Sequence, residues 1–237
     1  KYFPARRLAN YFGAPIVKEL QVQLAWNRLL AIVEEQAQVL MRTAFSTVVR
    51  EAGDLSAGVF DVRGEMLAQA VTGTPGHVNS MAEAVKKFLA KYPASKLEPG
   101  DVLLTNDPWD GTGHLNDFTV VTPVFLSSEV IGFFASTSHI ADVGGRGFGP
   151  DANDLFEEGL RVPISYLLQK GKPNQTLMDL IKANVRDPLV AEGDLYSLIA
   201  CNEAGSIELL EMLSDLDLRN LEELGRIILD RSKNAMR

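Results

Sequence analysis

The chain has 237 residues, with 31 acidic against 23 basic side chains and a formal net charge of −8, 46% apolar residues, one cysteine and three histidines. That length supports one large domain or two small ones with a proper core, and the balance of apolar and charged residues excludes disordered and collagen-like chains. Charge-free runs such as Ile131 to His139 are far too short to cross a bilayer, Lys1 opens no signal-like pattern, and an acidic chain without a basic stripe argues against a nucleic-acid partner.

The expectation is a soluble, cytoplasmic protein with no membrane contact. Cys201 has no partner for an internal disulfide, and its place in an apolar helical pattern with Leu198 and Ile199 predicts a packed, inert thiol.

In chain order, Val22, Trp26, Leu29, Leu30, Val33, Ala37, Leu40, Met41 and Ala44 recur at steps of three and four, which predicts a long helix with one buried face. Val59 and Phe60 run into Asp61-Val62-Arg63-Gly64 before Glu65 to Ala70 returns, the pattern of a β-hairpin. Ser80 and Glu83 have capping-box spacing, so a helix is expected to begin at Ser80 and to end near Lys91, before Pro93.

Asp101 to Thr105 predicts a short strand after a Glu98-Pro99-Gly100 turn. Phe118 to Phe125 and Val130 to Thr137 predict an antiparallel pair joined at Leu126 to Glu129, with an edge or bulge at Pro123, which has no N–H to donate. Gly144 to Pro163 is a glycine-rich structured loop in which Arg146, Phe148, Phe156 and Leu160 must pack or pair. It lacks the Gly-Lys-Ser/Thr ending of a phosphate-binding loop. After Thr176 the pattern is helical, with Pro188 suited to a first helical position and Leu221, Leu224, Ile227 and Ile228 striping the last helix. The fold class is α+β: a long N-terminal helix, a mixed, mostly antiparallel β-rich middle and a helical C-terminal region.

The middle holds the chemistry. His114 and Asp117 stand three residues apart where a loop enters a strand, a donor pair suited to Zn²⁺, Mn²⁺ or Fe²⁺. The same pattern also describes a loop histidine donating to a carboxylate. In an antiparallel pair the end of the second strand abuts the start of the first, which brings His139 beside His114 and Asp117 unless it merely caps the strand edge. Asp142 is then a further ligand or an orienting carboxylate. Glu51 and Asp54 read as surface charge on local pattern alone, and His77 as a loop histidine near a helix start.

Over nearly the whole chain, these segments occur in an order that resembles the hydantoinase B/oxoprolinase family. They include Arg50-Glu-Ala-Gly-Asp-Leu-Ser, Asn106-Asp-Pro-Trp-Asp-Gly-Thr-Gly-His-Leu-Asn-Asp, Ser138-His-Ile-Ala-Asp-Val-Gly-Gly, Glu158-Gly-Leu-Arg-Val-Pro, Asn184-Val-Arg-Asp-Pro and Gly193-Asp-Leu. The resemblance implies a metal-dependent subunit of an ATP-dependent cyclic amide hydrolase. ATP is bound by a hydantoinase A-like ATPase partner, which activates a small-molecule substrate, and the assembly is a hetero-oligomer. It implies metal ligands His114, Asp117, His139 and either Asp54 or Glu51. In the mechanism that follows, His77 or Asp142 serves as general base, and Arg146 pairs with a phosphate or carboxylate on the substrate.

Residues 1–237 would form one metal-binding domain, the N-terminal portion of a longer family fold, with the remainder possible as a separate C-terminal half. Members often carry a second histidine where this chain has Ile140. An acetone- or acetophenone-type carboxylase subunit and a non-catalytic assembly subunit are the alternative functions.

Overall fold

A computed structural model describes residues 14–147 and 149–237. Its elements are α1 (Ala14–Thr43), α2 (Thr47–Arg50), β1 (Leu55–Phe60), β2 (Met66–Gln69), α3 (His77–Lys91), β3 (Val102–Thr105), β4 (Asp117–Leu126) and β5 (Glu129–His139), then α4 (Leu155–Glu158), β6 (Ser165–Gln169), β7 (Lys172–Pro173), α5 (Gln175–Asn184), α6 (Pro188–Asp215) and α7 (Glu222–Ala235). The strands form a seven-stranded sheet in the order β2-β1-β5-β4-β3-β6-β7, with every neighbouring pair antiparallel. The expected α+β architecture is what the chain adopts.

Side chains alternate across this sheet, and its two faces meet different helices. Ala57, Leu104, Phe118 and Val120 pack with residues of α1, α5 and α6, while Val59 and Phe134 join α1, α6 and α7. The opposite face presents Phe60, Leu103, Val121, Phe133 and Ala135 to Met81, Val85 and Phe88 of α3. Each burial removes apolar area from water at about 25 cal/mol per Å², and both faces of the central strands are used. Asp117, Thr119, Thr137 and His139 lie on the α3 face, in line with that apolar patch.

The β4–β5 hairpin is the longest ladder. Its register pairs Asp117 with His139 and Leu126 with Glu129, closing on the two-residue turn Ser127-Ser128 with Ser127 at φ 61°. Of the edge or bulge expected at Pro123, the edge is present there and the bulge lies just beyond it. The β3 ladder reaches β4 only as far as Val121, so Pro123 has no partner strand on that side, and the β5 register shifts one residue later, between Val124 and Phe125.

Several expectations are corrected. Helix α3 begins at His77, three residues before the expected cap, and Ser80 sits inside its first turn, donating to the carbonyls of Gly76 and His77. The expected face of α1 is buried at Val22, Leu29, Val33, Ala37, Leu40 and Ala44, but Leu30 is exposed and Ala25, Ile32 and Gln36 join the stripe. Gln36 is a buried polar residue because its amide donates to Asn202 Oδ1 (2.8 Å) and the Ala135 carbonyl (3.1 Å). The β6–β7 hairpin was not legible in the pattern. Its partner on the other side is β3, and the contact is close enough that a Cβ on Gly100 would strike Gly171.

The glycine-rich segment carries the helical turn α4, capped by Asp154, whose side chain accepts from Phe156 and Glu157. Phe156 is exposed rather than packed. Phe148, another residue expected to pack, lies outside the described residues. Pro188 opens α6 with Asp187 as its cap, as expected, and Cys201 is fully buried in that helix, its thiol pushed up to about 12 by burial. Among the described residues no helix is long and apolar enough to cross a membrane.

Candidate metal centre

All three histidines converge on one carboxylate. Asp117 Oδ1 lies 3.4 Å from His139 Nδ1, and Asp117 Oδ2 lies 3.2 Å from His77 Nε2 and 3.8 Å from His114 Nε2. Asp54 Oδ2 is 3.8 Å from the same nitrogen, His139 Nδ1. The His114 and His139 rings meet edge to face, with centroids 5.1 Å apart.

Local backbone explains the convergence. Asp117 and His139 are cross-strand partners at the end of the β4–β5 ladder. Asn116 extends that ladder by one residue, since its carbonyl accepts from Ile140 N–H (2.8 Å) and its side-chain amide donates to the Ile140 carbonyl (2.8 Å). His114 is brought back over Asp117 by a turn closed by the Asp117 N–H to the His114 carbonyl (3.0 Å), entered through Gly113 at φ +71°. A Cβ on Gly113 would stand 2.5 Å from Asp117 Oδ2, so glycine is needed here both for its conformation and for room. Asn106 ties the other end of this loop. Its amide donates to the Leu115 and Leu160 carbonyls, and its side-chain oxygen accepts from Val162 N–H (2.6 Å).

Asp54 enters from the start of β1, where its carbonyl accepts the His139 N–H (3.1 Å), and its Oδ1 accepts from Thr74 Oγ1 (2.6 Å). His77 enters as the first residue of α3, with its N–H donating to the Thr74 carbonyl (3.0 Å).

The donor set fits a divalent cation. One ligand atom each from His114, Asp117 and His139 lie within 4.8 Å of one another. Two donors about 2.1 Å from one ion stand roughly 3.0 Å apart at a right angle and roughly 3.4 Å apart at a tetrahedral one, the range approached by the contacts of Asp117 Oδ1 with His139 (3.4 Å) and of Asp117 Oδ2 with His114 (3.8 Å). Burial works to raise the Asp117 pKa. Hydrogen bonds from His139 and His77, with the charges of His77 and His114, outweigh it and hold the carboxyl at about 2. Asp117 is therefore an anion at the base of the site. Asp117 and His139 are buried, whereas the His114 side chain is 46% exposed, so the cluster opens to solvent on the His114 side.

The remaining candidates lie elsewhere. Glu51 is exposed just past α2. Both oxygens of Asp142 are occupied: Oδ1 accepts from Gly144 N–H (3.0 Å) and Arg186 Nη1 (2.6 Å), and Oδ2 accepts from the Arg186 backbone N–H. These bonds, which oppose the upward push of burial, keep the Asp142 carboxyl below its ordinary range. Arg146 folds onto its own loop, with Nε 3.2 Å from Glu157 Oε2 and Nη1 donating to the Asp151 carbonyl (2.9 Å).

A profile of the hydantoinase B/oxoprolinase family matches residues 18–237. The chain belongs to that family. It is 27% identical over 228 residues to the B-type subunit of a putative D-/L-hydantoinase from Pseudomonas sp. (strain NS671), covering 93% of this chain and 38% of that one. It is 33% identical over 211 residues to the 5-oxoprolinase of Saccharomyces cerevisiae, covering 82% and 16%. The solved ATP-dependent caprolactamase from Pseudomonas jessenii superposes with a TM-score of 0.83 at 26% identity, covering 92% of this chain and 38% of that one. The chain thus spans well under half the length of these relatives.

The structure gives the family segments physical roles that spacing did not reveal. In Asn184-Val-Arg-Asp-Pro, Arg186 clasps Asp142 and donates to the Gly145 carbonyl (2.6 Å), while Asp187 and Pro188 start α6. In Gly193-Asp-Leu, the buried Asp194 accepts from the Phe45 (2.7 Å) and Ser46 (3.1 Å) N–H groups at the end of α1, and Gly193 leaves space for the Phe45 ring. Ile140, next to His139, is buried in the core.

Proposed function

We propose that this hydantoinase B-type chain is the metal-dependent part of an ATP-dependent cyclic amide hydrolase. In this reading His114, Asp117 and His139 hold Zn²⁺, Mn²⁺ or Fe²⁺, with Asp54 rather than Glu51 as the fourth protein ligand. A hydantoinase A-like partner binds ATP and activates the substrate. The observation that carries the reading is the meeting of three ligand atoms within 4.8 Å around a buried carboxylate, with one imidazole facing solvent. Relatives named for hydantoin, oxoproline and caprolactam support the cyclic amide class.

A divalent ion held there would polarise the carbonyl of an activated amide and favour negative charge on its oxygen. The chain's own groups prepare the position. Asp117, held ionised, supplies the negative charge that offsets a cation. The buried side of the cluster excludes water, and the exposed edge of His114 leaves the side from which a substrate approaches. Full-length chain is combined with a hydantoinase A-type partner, ATP and Mn²⁺ or Zn²⁺, and phosphate release is followed. Release that depends on hydantoin, 5-oxoproline or caprolactam and disappears in His114→Ala is expected. Dependence on bicarbonate and a ketone would make the chain part of a carboxylase, and a metal-free protein without turnover would make it an assembly subunit.

A further inference from the structure

Each carboxylate of the cluster has one oxygen held by a side chain of the same four-residue turn. Thr74 Oγ1 donates to Asp54 Oδ1 (2.6 Å), and His77 Nε2 lies 3.2 Å from Asp117 Oδ2. The His77 N–H to the Thr74 carbonyl (3.0 Å) closes the turn, so the two donors are fixed relative to each other. Gly73 seats the turn against β1, where a Cβ would stand 2.8 Å from the Leu55 carbonyl.

We infer that the Thr74–His77 turn is the positioning element of the metal centre, with His77 setting the orientation of Asp117 and Thr74 that of Asp54. This rests on the metal reading proposed above. His77 stands outside the group of mutually close ligand atoms, although its imidazole is as near to Asp117 as any other. It is 94% buried, and its Nδ1 has no hydrogen-bond partner among the described residues, so the pairing with Asp117 sets the rotation of the ring.

With Nε2–H donating to a carboxylate and Nδ1 shut away from solvent, the ring has no basic atom facing the open side of the site. That geometry suits a positioning residue better than the general base suggested by sequence. Asp117 Oδ2 stands between His77 and Gly113 and lies 3.8 Å from His114 Nε2, while Oδ1 lies beside His139, so the contact with His77 sets the carboxylate plane that both ligating imidazoles meet. Groups that hold a ligating side chain in this way typically carry a 10- to 100-fold effect on metal affinity.

The test compares full-length wild type, His77→Leu, His77→Gln, Thr74→Val and Thr74→Ser. Co²⁺ affinity is measured by chelator competition, the Co²⁺ absorption spectrum reports ligand geometry, and circular dichroism confirms folding. Glutamine places an N–H near the position of Nε2, and serine keeps the hydroxyl. Expected are a 10- to 100-fold loss of affinity with an altered spectrum in His77→Leu, a smaller loss in Thr74→Val, and recovery toward wild type in His77→Gln and Thr74→Ser. Wild-type affinity and spectrum in His77→Leu would overturn the inference even if turnover fell, since that pattern marks a general base. Complete loss of Co²⁺ in both His77 variants while folding is retained would make His77 a direct ligand and overturn it too. Failure of the wild type to bind Co²⁺ would instead overturn the metal reading itself.

Discussion

Gly113→Ala tests the packing around Asp117. Gly113 sits at φ +71°, where an L side chain costs roughly 1–2 kcal/mol, and its new Cβ would stand 2.5 Å from Asp117 Oδ2. The carboxylate must then swing away from His77, losing a hydrogen bond to a buried charge that contributes about 1.5–3 kcal/mol. The expected destabilisation is about 3 kcal/mol, together with a tenfold or greater loss of metal affinity. Gly171→Ala is the control. It has a similar φ of +74° but nothing within 4 Å of a new Cβ, so only the backbone cost of roughly 1–2 kcal/mol is expected there, with no change in metal binding. Urea unfolding of both variants and chelator competition provide the comparison. Equal destabilisation of the two, or a Gly113→Ala variant that binds metal like wild type, would refute the close approach to Asp117.

Asp142→Asn should weaken the Arg186 clasp. Because the folded pKa of Asp142 is depressed, its contribution is present above the unfolded carboxyl value near 4 and is lost as pH falls through the folded value, so the stability gap between wild type and variant should be full at pH 6 and shrink below pH 4. A gap independent of pH would contradict this. Cys201, buried with its thiol near 12, should resist iodoacetamide at pH 8 in the folded chain and react once the chain is unfolded; rapid native labelling would count against that packing. Asn202→Leu removes donors to the Val120 carbonyl and Thr122 Oγ1 and leaves the Gln36 amide only the Ala135 carbonyl, so a loss of about 2–4 kcal/mol in thermal or urea unfolding is expected, and a loss under 0.5 kcal/mol would show the network to be dispensable.

The β4–β5 pair was legible in sequence because two β-branched and aromatic runs flank a short polar turn, and antiparallel geometry then placed His139 beside Asp117 without further information. Helix periodicity exposed α1, α6 and α7, yet it could not show that Gln36 rather than Leu30 belongs to the buried stripe, since the Gln36 amide N–H finds its acceptor on Asn202, 166 residues away. Helix α3 began earlier than its capping signal because Thr74 and Gly76 form the turn that delivers His77 to Asp117. The pairing of His77 with Asp117 depends on α3 packing against the sheet, a tertiary event that local spacing does not encode. Gly113 stood beside His114 in the sequence as a visible clue, but only the structure shows that its missing side chain makes room for a carboxylate oxygen.

The most direct test of the metal centre is the metal content of the purified full-length chain after incubation with Mn²⁺, Zn²⁺ or Fe²⁺ and removal of excess, measured by mass spectrometry for wild type, His114→Ala and Asp117→Asn. A site built on His114, Asp117 and His139 predicts about one ion per wild-type chain and a large loss in both variants. Stoichiometric metal retained in His114→Ala, or none in the folded wild type, would contradict it.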